Sequence, residues 1–276
     1  GGIKIDYFPE IDTSVGKYTQ TLNLEKGRID FRYDVREKSY FLSVWVDANH
    51  QCINFEFKSS EKATATIVHK NWRDKKRLLH KDEYFFLNDT KGEYYCWPDV
   101  VVEKESSLCW YHQNKSSTWE RTLKLQYLEE LLGKMPDPLL HRTFGALIQG
   151  EGFKKLDSST LALEKPMKSF RLQISTLTLE ECDNSEDWIN KITQLAEIHK
   201  HLKISEAKTK HEKWWKAFWN RSWIFVDGFD KAHSLTQNYI LQRWIQACGG
   251  RGNYPIKFNG TIFTVKTDKY DPDYRR

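Results

Sequence analysis

Carboxylates, thiols, imidazoles and side-chain amides are the groups in this 276-residue sequence that could do chemistry. General acid–base work needs two carboxyl groups that converge on one substrate. The adjacent pairs Glu129-Glu130, Glu180-Glu181 and Asp82-Glu83 fit that need poorly, because neighbouring side chains on a helix or strand diverge, so they read as solvated acids. A looser set, Asp268, Asp271 and Asp273, clusters with Tyr270 and Tyr274 close to Arg275. Phe258-Asn259-Gly260 presents an amide that both donates and accepts, which suits a polyol. The same Asn-Gly pair equally suits a tight turn between two short apolar segments.

Cys96, Cys109 and His112 invite a metal reading, but no CxxC or HxxxH spacing accompanies them, and neither metal nor cofactor is expected. The odd, scattered set Cys52, Cys96, Cys109, Cys182 and Cys248 is not a disulfide framework. The run GGRGN at 249–253 lacks the following GK[ST] of a phosphate cradle, and its glycines end a helix rather than open one. No Ser-His-Asp or Cys-His set can be assembled from spacing alone.

The strongest local signal is aromatic. The stretch HEKWWKAFWNRSW at 211–223 places His211, Trp214, Trp215, Phe218, Trp219 and Ser222 at helical spacing, with Lys213, Lys216 and Asn220 on the other side. A base- or sugar-stacking platform does not require helical periodicity, whereas a buried stripe does, so the spacing points to a packed helix face. That much indole needs a partner beyond a few helices.

The elements that must position these residues fall into two regimes. Two-residue alternation rich in aromatic and β-branched residues marks strands at 18–24, 28–33, 39–46, 52–57, 63–68, 94–102, 108–113, 143–149 and 170–179, with turns at Lys26-Gly27, Asn49-His50 and Ser59-Ser60. Short strands at near-regular spacing imply an antiparallel β-sandwich. A short helix is expected within 118–132, stopped by Met135-Pro136-Asp137-Pro138. From Asp183-Asn184-Ser185-Glu186 the pattern turns helical: Trp188, Ile192, Leu195, Ala196, His199 and Leu202 form one stripe, the tryptophan stretch a second, and a third helix runs from Asp230 to Gly249-Gly250. The expected organisation is α+β, with a sandwich over 1–182 and a helical segment over 183–276.

Composition narrows the function classes. A net charge of +5 over 43 basic and 38 acidic residues leaves most charges with a local opposite, so nucleic acid is not an expected partner. The basic run at 70–81 reads as a solvated edge. No stretch approaches the ~20 apolar residues of a membrane span. The opening GGIKID has no initiator methionine and reads as a processed, tagged or excised start.

The segments HEKWWKAFWNRSWIFV, YILQRWIQACGGRGNYPIKFNGTIFTV, DPDYRR and DPLLHRTFGALIQGEGF resemble bacterial glycoside hydrolases that join an N-terminal supersandwich to an (α/α)6 barrel, best known from the α-L-fucosidase family ninety-five. The resemblance covers most of the chain and is most specific over 239–265. It implies a non-catalytic sandwich and linker from a polysaccharide-degrading enzyme of the periplasm or the secreted fraction. The catalytic carboxylates would then lie in the barrel beyond Arg276, and this chain alone would be inactive. The resemblance also places Phe258, Asn259, Asp273, Tyr274 and Arg275 near a sugar site. Trp214, Trp215 and Trp219 would face the barrel or mediate self-association. Two other readings remain open: a carbohydrate-binding module using Trp72, Trp97 or Trp110, and a scaffold that docks another protein.

Overall fold

The computed structural model describes residues 2–8, 12, 14–81 and 92–252. Phe258, Asn259, Asp273, Tyr274 and Arg275, with Asp82-Glu83, lie outside the described residues. Among those described, eleven strands build two antiparallel layers, two more form a separate ribbon, and helices cover the outer face of the large sheet.

The large sheet is ordered β2 (Lys17–Asn23), β3 (Arg28–Val35), β4 (Lys38–Val46), β5 (Cys52–Lys70), β13 (Met167–Leu179), β10 (Thr143–Gly150), β9 (Leu108–Gln113) and β8 (Val100–Val102). The smaller layer pairs β1 (Gly2–Phe8), the far half of β5, β12 (Thr160–Leu163) and β11 (Phe153–Asp157). A separate two-stranded ribbon joins β6 (Arg77–Leu78) to β7 (Tyr95–Cys96).

The expected turn at Ser59-Ser60 is absent: β5 is one continuous strand of 19 residues. Its first half pairs with β4 and β13, its second half with β1 and β12. A register shift between Met167 and Ser169 on β13 marks where β5 leaves one layer for the other. Hydrogen bonding to two sheets in succession overrides the polar composition that reads as a turn. Strands β1, β11 and β12, not anticipated from alternation, are the ones that complete the second layer.

Alternation along β13 sorts the chemistry. Phe170, Leu172 and Ile174 point into the core between the layers with Phe57, Ile67, Ile148 and Leu161. Phe57 and Phe170 stack at 4.6 Å. Arg171, Gln173 and Ser175 point the other way, toward the helices.

The first helical stretch, α1 (Trp119–Leu125), is followed by a separate 3-10 turn, Glu129–Leu131, so the helix expected across 118–132 is broken in two. In α2 (Ser185–His201) the Asn184 side chain accepts a hydrogen bond from the Glu186 N–H at 3.0 Å, the cap the sequence suggests. Trp188, Ile192 and Ala196 bury against Cys109, Tyr111 and Leu147 on the outer face of the large sheet. Helix α3 (Ile204–Trp219) starts seven residues before the tryptophan stretch and ends before Trp223. Helix α4 (Ala232–Gly249) follows and closes at Gly250.

The tryptophan stripe is largely enclosed within the chain. Trp215 and Trp219 are 5% and 4% exposed. They pack on Leu24, Ile240, Trp244 and Ala247, and Trp244 stacks on Trp215 at 4.4 Å. Trp219 donates its indole N–H to the Leu24 carbonyl at 2.8 Å. Within the chain, α4 and the β2–β3 turn cover Trp215 and Trp219, while Trp214 stays partly exposed. The apolar surface that stays open is the next stretch: Trp223, Ile224, Phe225 and Phe229.

Candidate functional site

Three features outside the main core concentrate polar or aromatic chemistry. The first surrounds Asp99, between the β6–β7 ribbon and the large sheet. Its carboxylate is buried and accepts from Arg73 Nε at 2.6 Å, with His112 Nδ1 3.0 Å from the same oxygen. Burial alone would raise the Asp99 pKa, but the hydrogen bonds from His112 and Arg73 together hold it below the usual carboxylate range. The second carboxylate oxygen is buried without a partner among the described residues. Phe144 completes the enclosure, with the His112 ring at 5.3 Å and the Arg73 guanidinium at 5.4 Å.

A carboxylate that orients an imidazole is the geometry of an acid–base dyad. Here the carboxylate is shared with a guanidinium, which weakens its pull on the histidine. His112 and Cys109 fall on opposite faces of β9, since residues three apart on a strand point apart, so the set Cys96, Cys109 and His112 is not assembled. No metal-competent group of three His, Cys, Asp or Glu side chains occurs among the described residues. None of the five cysteines is joined in a disulfide.

The tryptophans weighed for sugar stacking have separate surroundings. Trp110 lies against His69, rings 3.8 Å apart and 21° from parallel, and packs on the core. Burial pushes the His69 pKa down to about 4, so it stacks as a neutral ring. Trp72 packs beside Gly2. Trp97 is half-buried, with Lys76 4.2 Å and Lys115 5.5 Å from its ring.

The second feature is the seam between the large sheet and helices α2 and α3. His211 is fully enclosed: Nδ1 accepts from the Ala48 N–H at 3.1 Å, and Nε2 faces the carbonyls of Lys26 and Gly27 at 3.0 and 3.2 Å. Those partners fix a neutral imidazole with its proton on Nε2. Burial also lowers its pKa. His199 Nδ1 meets the Ser175 hydroxyl at 2.7 Å, while its Nε2 has no partner among the described residues. Burial pushes its pKa down to about 4. Lys208 and the Trp45 indole both bind Glu56 at 2.8 Å. These groups hold helices to a sheet.

The third feature is an open aromatic groove of about 350 Å3 lined by Leu24, Glu25, Lys216, Trp219, Asn220, Trp223 and Ile240. Trp223 stacks on Trp219 at 5.5 Å and on Phe225 at 5.8 Å, extending the buried stripe to the surface. Arg243 lies over Phe218 and Trp219 and donates to the Phe218 carbonyl at 3.1 Å.

None of Arg73, Asp99, Arg171 or Gln173 stands out in the sequence. Arg73, Asp99 and His112 are 26 and 13 residues apart, and the loops carrying Arg73 and Asp99 meet through the Asp99 N–H and the Arg73 carbonyl at 2.8 Å. The polar side of β13, Arg-x-Gln-x-Ser at 171–175 on an otherwise apolar strand, is the one signal that could have flagged the seam.

An antiparallel sandwich carrying helices on its outer face, with these buried ion pairs and an aromatic groove, defines an α+β domain. The chain belongs to the family described as "Domain of unknown function (DUF5703)", whose N-terminal model matches residues 1–224. A search of curated proteins finds no match. Among solved structures, the chain is similar to a protein from the human microbiome provisionally designated kojibiose phosphorylase. The two share 13% identity at a TM-score of 0.48, over 89% of this chain and 30% of that one. This chain thus spans less than a third of that protein's length. The family established is this one; membership of the α-L-fucosidase group is not.

Proposed function

We propose that this chain is the non-catalytic sandwich-and-helix region of a polysaccharide-degrading enzyme, supporting a helical catalytic barrel in the periplasm or outside the cell. The observation that carries this reading is the course of the tryptophan stripe. It is buried on α3, roofed by α4, and then continues outward as Trp223, Ile224, Phe225 and Phe229, which are between 45% and 76% exposed. Contiguous apolar surface of this kind marks an interaction site, and here it lies where further helices would pack. The resemblance of 211–226 and 239–265 to barrel glycoside hydrolases supports the same placement.

The test is turnover. The 276-residue chain, given oligosaccharide panels under hydrolytic and phosphorolytic conditions, releases no product. Release of sugar that disappears when one acidic residue is replaced would overturn the reading.

A second reading, a carbohydrate-binding module, draws on Trp97, a half-buried ring with the Lys76 and Lys115 ammonium groups lying over it. It predicts saturable glycan binding that falls at least tenfold in Trp97→Ala.

A further inference from the structure

Beneath the C-terminal end of α2, between the helix and the large sheet, lies a cavity of about 450 Å3 lined in part by Ser106, Gln149, Glu151, Arg171, Gln173 and Lys200. Its volume is in the range of small-ligand sites. Arg171 is its unusual member. Its guanidinium donates to two neutral acceptors, the Leu202 carbonyl at 3.3 Å and the Asn54 side-chain oxygen at 3.1 Å. Its Nε is buried with no partner, and among the described residues no carboxylate forms an ion pair with it.

Of the acids near Arg171, Glu56 and Asp47 act on it at a distance but are bound elsewhere, and Glu151, exposed on the cavity lining, forms no ion pair with it among the described residues. Glu56, opposite Arg171 in the strand register, is bound by Lys208 and Trp45. Asp47 is bound by His50 at 2.9 Å. Burial pushes the Cys52 thiol up to about 11, so it carries no charge near neutrality. A partly buried guanidinium with no carboxylate bound to it directly is costly, and an anion that reached it would offset that cost.

The other lining groups select what the anion is attached to. Gln149 donates its amide to the Ala196 carbonyl at 2.6 Å, and Gln173 donates to the His199 carbonyl at 2.9 Å. Their amide oxygens are thereby left as acceptors for hydroxyl groups. These bonds and the one from Arg171 also occupy carbonyls of the last turns of α2, the negative helix end that would otherwise repel an anion. Lys200 and His201 stand at the mouth and share Glu197 at 3.7 and 2.9 Å.

We propose that this cavity binds an acidic saccharide, with a sugar carboxylate on Arg171 and ring hydroxyls donating to Gln149 and Gln173. The sugar in this assignment rests on the carbohydrate reading above; the carboxylate rests on Arg171 alone.

The experiment is calorimetric titration of the 276-residue chain with digalacturonate, beside a neutral disaccharide of the same linkage, free acetate and inorganic phosphate. The expected result is saturable 1:1 binding of the uronide, at least tenfold tighter than any of the three controls. Arg171→Met should abolish it. Because Arg171 also ties down α2, the exposed Lys200→Glu provides a second variant, expected to weaken binding at least threefold with unchanged melting. Absent uronide binding, or unaltered binding in a folded Lys200→Glu protein, overturns the proposal. Acetate or phosphate binding as tightly as the uronide overturns the saccharide assignment. None of these outcomes bears on turnover, so the scaffold reading stands or falls separately.

Discussion

The Trp215 indole fills the space where a side chain on Gly27 would begin. Gly27 has φ +61°, and a β-carbon placed on it would sit 1.9 Å from Trp215 Nε1. The β2–β3 turn is therefore shaped to receive the indole, 188 positions later in the chain. Its backbone also receives the His211 imidazole, one helical turn before Trp215, at the Gly27 carbonyl.

Replacing Gly27 should act twice. Gly27→Ala forces an L-residue into the left-handed region and drives its methyl into Trp215. The expected loss is about 2–4 kcal/mol. A urea titration followed by tryptophan fluorescence checks it; a midpoint unchanged from wild type would mean that Trp215 is not seated in this turn.

His211 should prove structural in the same way. His211→Phe retains the ring contact with Trp45, now 4.8 Å, but leaves the Ala48 N–H and two carbonyls without their partner. Leaving a buried donor unpaired costs about 1–3 kcal/mol. The same urea titration on His211→Phe reads that loss, and a fully retained midpoint would show that the hydrogen bonds contribute nothing.

The seam sets a pH dependence. His199 faces Ser175, His50, Asp47 and Arg171, and burial holds its folded pKa at about 4, below the ordinary histidine value of 6.5. His69, beside Trp110 and with Asp99 nearby, is depressed to the same level. The unfolded chain binds these protons more readily than the folded one. Their stabilising effect is thus complete above the unfolded pKa and is lost as pH falls toward about 4. The expected loss is on the order of 1 kcal/mol per histidine per pH unit across that window. Unfolding midpoints at pH 7, 6 and 5 should fall progressively, and less steeply in His199→Gln. Equal slopes in the two proteins would remove His199 from the account.

The start of α2 and the sandwich were legible because their causes are local. Asn184 caps the helix it precedes, and Phe170, Leu172 and Ile174 alternate with polar residues. The stripe of 211–219 was readable as a buried face for the same reason, period against period. What covers it was not, since Leu24 and Trp244 are brought there by topology. The path of β5 between layers is likewise set by register among distant strands, and the meeting of Arg73, Asp99 and His112 by contacts between distant segments. Phe258 and Asn259, chosen through a resemblance, lie outside the described residues, so the seam and the Arg171 cavity owe nothing to that choice.

The exposed aromatics provide the last prediction. Trp223 and Phe225 stack 8° from parallel at the rim of the aromatic groove, continuous with the buried stripe. Without a partner, such a surface favours pairing of copies, since each apolar side chain removed from water contributes roughly 1.5–3 kcal/mol. Sedimentation velocity of the 276-residue chain should show concentration-dependent association, and Trp223→Ser with Phe225→Ser should shift it to monomer. Both side chains being exposed, the double substitution should leave the melting temperature nearly unchanged. A wild-type chain that stays monomeric at high micromolar concentration would show that this surface does not drive self-association.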